Sequence, residues 1–178
     1  MVRPLLTYVT LSTLVVNGIG GCDLPNRTAE VFTGREIPAA KAQPLKSSSL
    51  TAWEQSAYRQ INQYRQSRNL PPLQLDSRIV EQARAHSREM ANGQVPFGHQ
   101  GFEQRVKAIA LAIPYQMAAE NVAYNQGYSD PATQAVQGWI KSTGHRINIE
   151  GQYDLTGMGV AKNAKGEYYF TQIFIRRS

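Results

Sequence analysis

A single cysteine, Cys22, among 178 residues leaves no partner for an intramolecular disulfide. Small secreted domains often rely on such bridges, but a body of this size buries enough apolar surface without them. No apolar stretch is long enough to span a bilayer. The longest, residues 5–16, is short and interrupted by Thr and Ser. Charge of one sign is scarce as well: after residue 50 there are 14 Lys and Arg against 10 Asp and Glu, dispersed along the chain. No basic run carries interleaved aromatics, which argues against nucleic-acid binding. The residual positive charge fits only a weak attraction to anionic surfaces such as lipid headgroups or cell-wall polymers. Neither a strand–Ser–helix nucleophile elbow nor an HExxH zinc motif occurs, and no internal repeat is visible. What is present, 42% hydrophobic and 18% charged residues, suffices for one packed domain with appendages.

The N-terminus has the three-part layout of a secretory leader: Arg3, an apolar stretch, then Ile19-Gly20-Gly21-Cys22. That ending resembles a bacterial lipobox, in which the cysteine thiol receives a diacylglyceryl group. Residues 1–21 are therefore expected to be a lipoprotein-type signal peptide. Cys22 is expected to be lipidated and acylated (palmitate-type chains), which places the protein outside the cytoplasm on an envelope membrane. An ordinary leader cleaved elsewhere is the alternative. Residues 22–49 carry Pro25, Pro38, Pro44 and a Ser47-Ser48-Ser49 run without a period, and read as a flexible tether.

Regular patterning begins at residue 50 and continues to 178. A capping box, Thr51-x-x-Glu54, precedes Trp53, Ala57, Ile61 and Tyr64 at helical spacing. Asn69 and Pro71-Pro72 end that helix. Asp76 caps a second one, with Ile79, Ala83, His86 and Met90 on one face and Asn92-Gly93 as its stop. A third helix covers about 102–111, with Phe102, Val106 and Ile109 inward. Ser129-Asp130-Pro131 starts a fourth, burying Ala132, Ala135, Val136, Trp139 and Ile140. Residues 157–161 and 167–176 read as a β-hairpin, the second strand apolar on both faces and so covered on both. The fold class expected is α+β, a three-layer α/β/α sandwich with a short antiparallel sheet.

Three signatures stand in order: Phe97-Gly98-His99 followed by Gly101-Phe102; Ala119-Glu120-Asn121-Val122-Ala123; and Gly138-Trp139-Ile140-Lys141-Ser142-Thr143-Gly144-His145-Arg146-Ile147-Asn148-Ile149. With Ile61-Asn62 and Gly157-Met158-Gly159-Val160, they resemble the CAP (or SCP) domain of cysteine-rich secretory proteins, antigen 5 and plant pathogenesis-related proteins. The likeness is to the disulfide-free bacterial branch. The resemblance implies a cleft lined by two His and two acids: His99, His145 and Glu120 occupy three of these positions, and Ser142 stands where many eukaryotic members carry the second acid.

Two neutral imidazoles converging in a cleft are a natural seat for a zinc ion, completed by water or Glu120. Equally, Glu120 fits a residue that fixes a turn, His99 a plain loop residue, and His145 a cap beside Gly144. His86, Trp53 and Trp139 read as core, and Arg146 and Asn148 as loop braces. Two functions follow. One is a binding module whose cleft takes a lipid, a cell-wall fragment or a peptide. The other is a metal-assisted hydrolase, of peptide or cell wall, with Glu120 as general base.

Overall fold

The computed structural model describes residues 16–17 and 51–178; Cys22, the stretch expected to be a tether and the rest of the expected leader lie outside the described residues. The described elements run β1 (Val16–Asn17), α1 (Ala52–Ser67), β2 (Gln74–Leu75), α2 (Ser77–Ala91), α3 (Phe102–Ala110), β3 (Tyr115–Gln126), α4 (Pro131–Lys141), α5 (Thr143–Glu150), β4 (Leu155–Lys162) and β5 (Glu167–Arg177).

Local signals set several of these boundaries. The Thr51 hydroxyl accepts from Glu54 N, and the Glu54 carboxylate accepts from Thr51 N, so the capping box closes both ways. Asn69 turns the chain out of α1 at φ 58°. Asp76 and Asp130 cap α2 and α4 through their carboxylates, and Pro131 opens α4 where its missing N–H is harmless.

The strands form one sheet in the order β1-β3-β5-β4-β2. All pairs are antiparallel except β2 with β4. β5 is central, as its two apolar faces require. Phe170 and Phe174 join Ala57, Ile61, Val136 and Trp139 in a cluster under α1 and α4. Ile173 and Ile175 join Ile79, Ala83, Phe102, Val106 and Ile109 under α2 and α3. The two clusters lie on opposite faces of the strand, which makes the three layers. The Gly-Met-Gly-Val stretch of β4 serves this packing. A Cβ on Gly157 would collide with the α2 backbone at Ile79 and Val80, and one on Gly159 with that of Ala83. Helix α2 thus lies directly on two bare strand positions.

The stretch after Trp139 is more helical than its sequence suggested. Extended backbone at Ser142 (φ −83°, ψ 121°) ends α4 and immediately starts α5, so His145 sits in the first turn of a helix rather than as a cap beside Gly144. Residues 117–124, apolar around the single charge of Glu120, lie within β3, the longest of the described strands.

Candidate functional site

His99 comes from the loop between α2 and α3, and that loop is held from below. His86, fully buried on α2, donates from Nε2 to the Gly98 carbonyl at 2.8 Å. The Gly98 backbone lies at φ 149°, outside the range a side chain favours. Gly101 follows in the left-handed region and leads into α3, whose Arg105 donates back to the Gln100 carbonyl at 2.9 Å.

Glu120 projects from β3 on the α2/α3 side. Its Oε1 accepts from His99 Nδ1 at 3.0 Å and from the Arg105 guanidinium at 2.8 Å; its Oε2 accepts from Arg105 Nε at 3.0 Å. The Glu120 side chain is 1% exposed, that of Arg105 8% and that of His99 10%. This is a buried, bidentate Arg–Glu pair with one imidazole attached. Both Glu120 oxygens are engaged by Arg105.

Asn121, the next residue, points to the other face and ties α5 to the strand. Its Nδ2 donates to the His145 carbonyl at 3.1 Å, and its Oδ1 accepts from Asn148 Nδ2 at 2.9 Å. Asn148 also donates to the Glu120 carbonyl, and the Trp139 indole to the Val122 carbonyl at 2.9 Å. Two backbone carbonyls of β3 are thereby satisfied by side chains of α4 and α5, a covering that blunts the strand's edge. Ahead of this stretch, β1 pairs with Met117 and Ala118.

His145 is half-buried, and its Nδ1 is hydrogen-bonded to Ser142 Oγ at 2.9 Å. Burial, and secondarily the nearby His99, pull its imidazole below the usual histidine range. Both cleft histidines therefore have Nδ1 engaged by an orienting group, with Nε2 left as the uncommitted ring nitrogen. Imidazoles oriented through Nδ1 in this way match the pattern of metal-ligating histidines. Among the described residues, however, no group of three or more His, Cys, Asp or Glu is placed to hold a metal ion. The donor set thus fits a weak two-imidazole ion site whose other ligands come from water or a bound molecule. Glu120 would act behind His99 rather than on the ion.

Sequence reasoning missed Arg105 and Asn121. Arg105 lies three residues after Phe102 and four before Ile109, inside the inward stripe of α3, and that placement was its available signal. Arg146 and Asn148, expected to brace a loop, instead lie in α5: Arg146 ties it to α4 through the Ile140 carbonyl at 2.9 Å, and Asn148 ties it to β3.

A family model described as the cysteine-rich secretory protein family, CAP, matches residues 58–174. The uncharacterized protein YkwD of Bacillus subtilis is 34% identical over 134 residues, covering 72% of this chain and 49% of the relative. An extracellular SCP-domain protein of Bacillus anthracis superposes with TM-score 0.59 at 29% identity, covering 76% of this chain and 45% of that one. An outer surface protein of Borrelia burgdorferi has the same fold at 17% identity and TM-score 0.59, covering 77% of this chain and 99% of its own. The chain spans about half the length of the two Bacillus proteins. With most of the domain inside the family model, the chain belongs to the CAP family, the cysteine-rich secretory protein family.

Proposed function

We propose that this is an extracytoplasmic binding module, held at an envelope membrane by lipidated Cys22, whose cleft takes a small ligand between His99 and His145. A lipid, a cell-wall fragment or a peptide carrying a group able to meet two imidazoles fits the chemistry, with or without a bridging zinc ion. The observation that carries this reading is the double orientation of the histidines. His99 is pinned by Glu120 and His145 by Ser142, at 3.0 and 2.9 Å. Fixed acceptors with no free base beside them suit recognition better than proton transfer. The extracellular description of the Bacillus anthracis relative supports the location. No helix among the described residues is long and apolar enough to cross a membrane.

Calorimetric titration with zinc tests the cleft. Wild type should bind, and His99→Ala and His145→Ala should each lose about tenfold or more in affinity. Identical binding by all three would remove the shared ion from the proposal. Mass spectrometry of protein made in a lipoprotein-competent bacterium tests the anchor: a diacylglyceryl group on Cys22 is expected, and cleavage well downstream of it would overturn the tether.

A further inference from the structure

The outer edge of β3 is closed in two different ways. Backbone N–H and C=O groups alternate sides along a strand, so those of Ala118 point the same way as those of Glu120 and Val122, away from β5. The Glu120 and Val122 carbonyls accept from Asn148 and Trp139, so α5 and α4 close the edge there. Among the described residues no side chain does the same for Ala118. Main chain takes that place: β1 lies antiparallel on this stretch, with Val16 opposite Ala118 and Asn17 opposite Met117. The same alternation makes Val16 and Ala118 a pair that exchanges both main-chain hydrogen bonds.

β1 comes from far upstream. It falls inside residues 1–21, the expected leader, whereas the other described strands come from residues 74–177. Removal of a leader would take β1 with it and leave the Ala118 N–H and C=O unpaired at a sheet edge. Such an edge is a template for an added strand, with main-chain bonds giving affinity and side-chain contacts giving selectivity.

The stretch is also short. Asn148 closes the edge at Glu120, and at the other end the register of β3 against β5 shifts between Tyr115 and Met117. Pairing two copies edge to edge needs a clear run of ordinary strand length on both. A single extended peptide needs only a few residues and can leave the sheet at either end. Its residue opposite Ala118 shares that face of the sheet, beside the cluster of Phe102, Val106, Ile109 and Ile175. Ala118 is small, so a branched apolar side chain fits opposite it.

We propose that the β3 edge at Met117–Ala118 is a docking site for an extended peptide with a branched apolar residue opposite Ala118, added as an antiparallel strand in the place that β1 holds. The site is made of main chain and does not use the side chains of His99 or His145.

The test uses the full chain carrying Val16→Pro, which removes the N–H that bonds the Ala118 carbonyl and so frees the edge without altering the domain. The probe is a synthetic peptide of residues 12–20 of this chain, and amide hydrogen exchange by NMR is read at Ala118. Without peptide, Ala118 should exchange about tenfold faster in Val16→Pro than in wild type. The peptide should restore the protection in a saturable way, and the same peptide carrying Val16→Pro should not. Ile173, in the central strand, should be equally protected in both proteins, which shows that the domain is intact. Ala118 still protected in a monomeric Val16→Pro chain would mean that the edge is closed without β1. Protection that comes with dimerisation, read by sedimentation, would assign the edge to a second copy. Either result overturns the proposal, as does a peptide that leaves Ala118 exchange in Val16→Pro unchanged.

Discussion

The two site histidines, His99 and His145, are built differently. His99 rests on a buried ion pair: Arg105 and Glu120, each less than a tenth exposed, with the imidazole as third member. His145 rests on a neutral hydroxyl, Ser142, at the junction of two helices and partly open to water. The first arm is joined across 21 residues of sequence, the second across three. The charged arm is therefore part of the tertiary structure, and disturbing it disturbs the fold. The neutral arm is a local device that can be altered at a smaller structural cost. Burial explains the contrast, because a charge removed from water has to be paired and leaving one partner alone is expensive.

The largest expected effect follows directly. Arg105→Ala leaves the Glu120 carboxylate buried without its guanidinium, and should cost about 3–5 kcal/mol. Urea denaturation would read this as a lower midpoint at unchanged slope. Arg105→Leu combined with Glu120→Leu removes both charges and should recover much of the loss, because the burial penalty vanishes with the pair. Both proteins should lose the orientation of His99. If Arg105→Ala unfolds like wild type, the two arms are energetically equivalent and the contrast fails.

The next effect concerns the ligand rather than the fold. His99→Ala and His145→Ala should each abolish most zinc affinity yet differ in stability. His99→Ala also strips a hydrogen bond from Glu120, whereas His145→Ala leaves only a half-buried hydroxyl to be resolvated. The expected difference is about 1 kcal/mol, read from thermal melts of the two variants side by side.

Local features were legible in the sequence. The caps at Thr51, Asp76 and Asp130, the stop at Asn92-Gly93 and the doubly apolar last strand each declare themselves within a few residues. The three signatures put His99, Glu120 and His145 in order, but not their partners. Arg105 meets Glu120 and Asn121 meets Asn148 across 15 and 27 residues, and a buried polar contact of that span leaves no periodic trace. Helix α5 was obscured for another reason. It buries only Asn148 and Ile149 and contains Gly144, which disfavours a helix interior by about 1 kcal/mol. Its helicity comes from being stitched to β3, a tertiary cause that local propensity does not reveal.

A smaller effect is set by pH. His86 sits behind the charged arm, fully buried, with Nδ1 free of any protein partner and Glu89 at 3.7 Å. Burial is the main cause holding its imidazole below the usual range; Arg105 acts in the same direction and the Glu120 charge opposes it. A histidine whose folded pKa is depressed binds its proton more readily when unfolded. Its contribution is complete above about pH 6.5, the unfolded value, and is lost as pH falls from there through the folded pKa. His145, depressed by burial, acts with the same sign. Stability should therefore decline as pH drops below about 6.5, before the carboxylates titrate. His86→Gln, which can still donate to the Gly98 carbonyl, should flatten part of that decline. A wild-type melting temperature constant from pH 7 to 5 would contradict it.

The smallest effect belongs to Ser142. Ser142→Ala removes one hydrogen bond at a half-exposed site and should cost about 0.5–1.5 kcal/mol at most, against several for Arg105→Ala. Its more telling signature is rotational: without the hydroxyl, His145 is free to turn, and zinc affinity should fall modestly while the melt barely moves. Ser142→Glu is the converse. A carboxylate three residues before His145 would give the second imidazole the kind of partner the first already has. That charge should raise the His145 pKa from its depressed position, opposing the burial that now lowers it. A carboxylate-backed imidazole is also a more basic ligand, so zinc should bind more tightly than in wild type at pH above the new pKa. Proton NMR of the three imidazoles across pH, with zinc titration at neutral pH, reads both quantities on one protein. A raised His145 pKa without tighter zinc binding would mean that the imidazoles are oriented for a ligand other than a metal ion. An unmoved pKa would mean that the new carboxylate turns to solvent, and that the serine hydroxyl holds its geometry only because it is short.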